Sequence, residues 1–135
     1  MLAAKAQKKP DFVQAINSKN AWVDSVFNKL SQKERIAQLF LVRAHTNLGK
    51  KYIDSVAQVI RKEQLGGLVV FQGGPVRHAQ MFNQYQKLSK VPLLITYDGE
   101  WGLGMRMPDS TLSYPYQMTL GAIQNEHLIY EMGRQ

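Results

Sequence analysis

The chain has 135 residues, 44% of them hydrophobic and 20% charged, which suits one ordinary domain with a core and excludes a disordered polyelectrolyte. It contains no cysteine, which rules out disulfides and thiolate chemistry while leaving the compartment open. Its net charge of +7 comes from lysines that are scattered or front-loaded (Lys5, Lys8, Lys9, Lys19) without interleaved aromatics, so it reads as a solvated basic surface and not a nucleic-acid footprint.

Residues 1–20 are polar and unpatterned and are expected to form a flexible lead-in. Within them Ala4-Lys5-Ala6 has the small-x-small form of a signal-peptidase site, but the apolar stretch that should precede it is missing. A start inside a longer secretory signal would make the parent protein exported, and an alanine-rich tail explains the same residues. No apolar run approaches the roughly 18 residues of a membrane span, so stable membrane insertion is not expected.

A short amphipathic helix is predicted from Ala21, with Trp22, Val23, Val26, Phe27 and Leu30 at helical spacing. Ser31-Gln32-Lys33-Glu34 has the form of a capping box and starts another helical turn. Leu39-Phe40-Leu41-Val42 then reads as a first buried strand. In the next helix, Lys50 to Glu63, Ile53, Val56, Ala57 and Ile60 make one apolar stripe.

Gly66-Gly67 is expected to end that helix, and Leu68 to Phe71 is the second strand. Gly73-Gly74-Pro75 turns the chain into a third helix with Pro75 in its first turn and Val76, Ala79, Met81, Phe82, Tyr85 and Leu88 inward. Leu93 to Tyr97 is the third strand, preceded by Pro92, and Glu126 to Met132 opens a further helix. Strands that are apolar throughout and alternate with helices predict an α/β fold with a parallel sheet covered by helices on its outside.

Asp98 directly follows the third strand, at the carboxyl end where parallel α/β folds bind ligands. Gly99, Gly102 and Gly104 thin the loop around it, Trp101 offers a broad apolar face with one N–H donor, and Arg106 offers a planar fork of donors. Together they suit a polyol-binding corner. The same residues fit a plainer reading in which Asp98 caps a turn, Glu100 is solvated and Arg106 pairs with one of them to hold the loop. His45, His78 and His127 lie far apart with no metal-binding spacing, and His45 and Arg43 follow the first strand at the same presumed ligand end. Gly73-Gly74 fits no phosphate-loop pattern.

Four ordered segments, WVDSVFNKLSQKERIAQLFLVRA, LGGLVVFQGGP, MFNQYQKLSKVPLLITYDGEWGLGMRM and MTLGAI, resemble the opening of a glycoside hydrolase family 3 catalytic domain, nearest its β-N-acetylglucosaminidase branch. The resemblance covers about residues 21–135. It implies the N-terminal portion, about three βα units, of a (β/α)8 TIM barrel, and a retaining hydrolase of terminal β-linked N-acetylglucosamine that needs no cofactor. A β-glucosidase or xylosidase of the same family, or a non-catalytic α/β binding module, is the alternative.

By the resemblance, Asp98 binds sugar hydroxyls in the cleavage subsite, Arg106 lines the same pocket, and Trp101 shapes it. Trp101-Gly102 stands where many relatives of this branch have two glycines, which changes the loop that sets sugar preference. The nucleophilic aspartate and the histidine–aspartate acid/base pair of the family have no counterpart in these residues, so no catalytic residue is expected in this chain. A barrel of about 250 residues makes the chain look like a truncated fragment, inactive alone and open to self-association through its sheet edges.

Overall fold

In a computed structural model the protein is described over residues 11–135, so the Ala4-Lys5-Ala6 tripeptide lies outside the described residues. The chain divides into two compact units, up to Ser31 and from Gln32 onward. In the first, helix α1 (Phe12–Asn17) occupies part of the expected lead-in, and α2 (Ala21–Lys29) follows as predicted. The Asn20 side chain caps α2 by accepting from the Trp22 and Val23 amides at 2.9 and 3.4 Å. The local reason α1 forms is the same device one helix earlier: the Asp11 carboxylate accepts from the Val13 amide.

The second unit alternates α3 (Gln32–Ala37), β1 (Leu41–Ala44), α4 (Gly49–Glu63), β2 (Gly67–Val70), α5 (Pro75–Gln86) and β3 (Leu94–Tyr97). A long loop carrying a 3-10 turn at Leu103–Met105 leads to α6 (Gln117–Gly121) and α7 (Glu126–Arg134). The three strands pair in parallel in the order β1-β2-β3, with Leu41, Gly67 and Leu94 opening the register and Ala44, Val70 and Tyr97 closing it. This is the α/β arrangement expected, three βα units of a TIM-barrel-type fold. Among the described residues β1 and β3 each pair on one side, which leaves two open sheet edges.

Side chains alternate across a strand, so Val42, Leu68 and Ile95, and then Ala44, Val70 and Tyr97, share the face turned to the helices. There Leu68 and Ala44 are packed with Val56 and Ile60 of α4 and Met81 and Tyr85 of α5, and Leu68 is 0% exposed. The Tyr85 hydroxyl donates to the Ile53 carbonyl at 3.0 Å, tying α5 to α4, and burial pushes its phenol up to about 12. The opposite face, with Leu41, Arg43 and Leu94 exposed, is the one that a closed barrel turns inward.

Several element details differ from the sequence reading. Leu39 and Phe40 do not start β1, because their amides bond back to the Ile36 and Ala37 carbonyls and prolong the end of α3, leaving Leu39 81% exposed. β1 therefore begins at Leu41, and it is covered on one face instead of buried throughout. Helix α4 ends at Gln64, a left-handed residue at φ 54°, before the two glycines. The Gln64 side chain explains the choice: it donates to the Arg61 and Leu88 carbonyls and accepts from the Lys90 amide at 2.7 Å.

Gly66 serves a different need, since a Cβ there would lie 1.9 Å from the Gln38 carbonyl oxygen. On α5 the inner side is His78, Met81 and Tyr85, with Val76 and Ala79 exposed. The Gly74 cap and Pro75 set where the helix starts, and the buried stripe then falls on the histidine.

Replacing Leu68 by Ala should cost about 2–5 kcal/mol of stability through the cavity left between sheet and helices. Val76→Ala, on the exposed side of α5, should stay within about 0.5 kcal/mol. Urea unfolding of the two variants measures both, and equal midpoints would refute this core.

Candidate active site

The parallel register continues past the strand ends. The Phe71 amide donates to the Ala44 carbonyl at 2.9 Å and the Thr46 amide to the Gln72 carbonyl at 3.0 Å. Alternation then brings His45, Phe71 and Asp98, one residue beyond β1, β2 and β3, to the inward face at the carboxyl edge. The His45 and Phe71 ring centroids lie 5.0 Å apart.

Arg106 reaches this row from the loop after β3. Its Nε donates to the Asp98 carbonyl oxygen at 2.6 Å and its Nη2 to Asp98 Oδ2 at 2.7 Å. The guanidinium carbon stands 4.1 Å from the centre of the Phe71 ring, and that of Arg43 stands 5.7 Å from it. Arg106 has 6% of its side chain exposed, whereas Asp98 keeps 43%. A planar, weakly hydrated guanidinium tolerates this burial because a carboxylate, a carbonyl and an aromatic face all satisfy it. One carboxylate oxygen is thus spent on fixing the loop, and the side chain stays partly open. The loop-holding reading of Arg106 is met in this geometry.

The glycines serve the path of the loop. Gly102 adopts φ +94°, a conformation that suits glycine, and a Cβ on Gly104 would press 2.9 Å from the Ser113 backbone. Glu100 is exposed, and its carbonyl accepts from the Gln117 side-chain amide. Trp101 does not join the Asp98–Arg106 pair. Its ring meets Tyr116 edge to face, with centroids 5.0 Å apart, and it lines a cavity of about 530 Å³ with Leu103, Leu112, Tyr114 and Leu120. Neither Asp98 nor Arg106 borders that cavity. Of the three side chains singled out in the sequence, two therefore meet directly and the third lines a different space.

Behind the sheet sits a polar pair that spacing did not reveal. The Tyr97 hydroxyl is 2.8 Å from His78 Nδ1, and the imidazole stacks on Phe82 with centroids 5.4 Å apart. His78 is 2% exposed. Burial holds its pKa below 6.5, partly opposed by the Phe71 and Gln72 carbonyls, and the Arg77 charge lowers it further. Burial likewise raises the Tyr97 phenol, so both partners of this hydrogen bond are held toward their neutral forms. Burial also lowers His45, aided by the positive charges of Arg43 and Arg106. The signal that could have found His78 is its α5 position three residues before Met81 and seven before Tyr85.

Among the described residues no three histidine, cysteine, aspartate or glutamate side chains gather where a metal ion could be held. In chemical terms the row offers a half-open carboxylate flanked by guanidinium donors, an arrangement that binds hydroxyl groups. No pair of catalytic carboxylates accompanies it among the residues of this row.

Because His78 and His45 have lowered folded pKa values, the unfolded chain binds their protons more readily. Their contribution is complete above about 6.5 and is lost as pH falls through that value toward the lower folded ones. NMR titration of the histidine ring protons should place His78 below 6.5. A His78 midpoint at or above that value would contradict a buried neutral ring.

Among curated proteins none matches the chain. Its residues 31–135, which include all three strands and the Asp98 loop, match the family model described as the glycosyl hydrolase family 3 N terminal domain. With a parallel βα sheet, a carboxylate at the carboxyl edge and a match over most of its length, the chain belongs to glycosyl hydrolase family 3.

Proposed function

We propose that the protein is the sugar-gripping portion of a retaining glycosidase that releases terminal β-linked N-acetylglucosamine. Asp98 binds ring hydroxyls of the sugar in the cleavage subsite. Arg106 holds that carboxylate in place, and Trp101 shapes the outer wall of the loop. Retaining hydrolysis also needs a nucleophile and a proton donor on opposite sides of the scissile bond, roles that this reading gives to neither Asp98 nor Arg106. No cofactor takes part in this chemistry.

What carries the reading is one observation: Asp98 stands at the carboxyl edge of the inward face with Oδ2 held by Arg106 and 43% of its side chain open. An ionised carboxylate only accepts hydrogen bonds, so an adjacent pair of ring hydroxyls is a fitting ligand. Fixing the acceptor before the substrate arrives lets those bonds strengthen as charge develops on the ring in the transition state. The glycoside hydrolase class follows from family membership. The N-acetylglucosamine preference rests on the resemblance of the YDGEWGLGMRM loop to that branch.

The complete enzyme carrying these residues should hydrolyse 4-nitrophenyl N-acetyl-β-glucosaminide with a kcat/KM at least about tenfold above that for the β-glucoside or β-xyloside, a difference of about 1.4 kcal/mol. A reversed ratio would assign the glucosidase or xylosidase alternative, and no hydrolysis of any of the three would favour a binding module. Asp98→Ala should lower kcat/KM about 100-fold or more. Unchanged kinetics in that variant would remove Asp98 from the site.

A further inference from the structure

We propose that His78 is a positioning residue for the Asp98–Arg106 pair, acting from behind the sheet through the Tyr97 hydroxyl and the 71–73 turn. The inference rests on the reading of Asp98 as the sugar-binding carboxylate. Tyr97 immediately precedes Asp98, and alternation sends the two side chains to opposite faces, the carboxylate inward and the phenol toward α5. The phenol ends 2.8 Å from His78 Nδ1. Anchoring that hydroxyl therefore anchors the backbone from which the carboxylate projects.

The other ring nitrogen works on the second member of the pair. Nε2 is buried and lies so close to Gly73 that a Cβ there would stand 2.3 Å away. The Phe71 and Gln72 carbonyls lie by the imidazole. The Gly73 amide in turn donates to the Arg106 carbonyl at 3.1 Å. Phe71, in the same turn, carries the ring on which the Arg106 guanidinium lies. One imidazole thus touches both the residue before Asp98 and the turn that seats Arg106.

Among the described residues the other hydrogen-bond partner of the Tyr97 hydroxyl is Met107 Sδ at 3.9 Å, a weak acceptor. The 1.8 Å that would separate a Gly73 Cβ from Thr46 Oγ1 shows how tightly this corner closes. Displacements of about 1 Å at a reacting sugar can cost about 100-fold in rate, so a backbone anchor one residue from the carboxylate acts on catalysis without touching substrate.

The test uses the complete enzyme with 4-nitrophenyl N-acetyl-β-glucosaminide, thermal melts, and Tyr97→Phe, His78→Leu, His78→Asn and the Tyr97→Phe/His78→Leu double variant. Tyr97→Phe and His78→Leu should each lower kcat/KM about tenfold or more, chiefly in kcat, because the carboxylate tightens on the transition state. The double variant should be no worse than the poorer single one, since both remove the same hydrogen bond. His78→Asn keeps an acceptor near the Nδ1 position and should recover most of the loss.

Kinetics of Tyr97→Phe within about twofold of the parent would overturn the proposal, as would additive losses. So would His78→Asn as impaired as His78→Leu at equal Tm, which marks a merely structural ring. If His78→Leu does not fold, Tyr97→Phe and His78→Asn decide alone. Asp98→Ala measured alongside separates the two readings. An impaired Asp98→Ala with a normal Tyr97→Phe sinks only the role of His78, and an unchanged Asp98→Ala sinks the carboxylate assignment on which it rests.

Discussion

Parallel pairing of three short strands in a single register is the constraint on which the remaining features depend. Because Ala44, Val70 and Tyr97 are level with one another, the residues that follow them are level too, and His45, Phe71 and Asp98 arrive in one row. A slip of one residue in any strand would send that strand's contribution to the helix side. The register is held from the helix side, where Leu68 packs between α4 and α5, and at the entry to β3. There the Gln86 side chain donates to the Leu93 carbonyl and accepts from the Leu93 amide, both at 2.8 Å. The Gln64 side chain likewise accepts from the Lys90 amide and donates to the Leu88 carbonyl. Side-chain amides here replace the strand neighbours that a loop lacks, which is how buried backbone groups avoid going unpaired.

The electrostatics of the carboxyl edge follow from that row. Two guanidinium groups share the Phe71 ring, and one of them is neutralised by Asp98. The local field is positive enough that Arg43 and Arg106 both oppose protonation of His45. The Asp98 carboxylate is oriented by its bond to Arg106, and its other oxygen is left to accept hydrogen bonds from hydroxyls. The long loop after β3 folds back through Gly102 and Gly104 so that Arg106 can return to the strand end it left eight residues before. Its glycines thus shape the chain path, and the space that Gly104 clears is taken by residues 112–113.

The order of elements and the parallel class were legible because uninterrupted apolar runs alternating with a striped helix admit few other folds. The place of Asp98 was legible for the same reason, as the first carboxylate after an apolar strand. Boundaries were less so. Leu39 and Phe40 look like strand residues by composition, yet local turn bonds to Ile36 and Ala37 retain them. Val76 looks like core and is exposed, while His78 looks polar and is buried, because the stripe of α5 that carries Met81 and Tyr85 runs back through position 78 and not 76. Trp101 and Asp98 are three residues apart, yet Trp101 lines a cavity that Asp98 does not border, and the turn closed by the Gly102 amide on the Gly99 carbonyl lies between them.

By itself the sequence determined the class of fold and placed Asp98 directly after the third strand, because hydrophobic period and the residue after a strand are local properties. Only the tertiary structure decided which side chains meet that carboxylate. Arg106 as its partner, Phe71 as the seat of the guanidinium, and His78 behind Tyr97 come from three different segments, and their meeting depends on register and helix rotation. Neither quantity is written in any single stretch of the chain; both are set by how the sheet and its helices pack together.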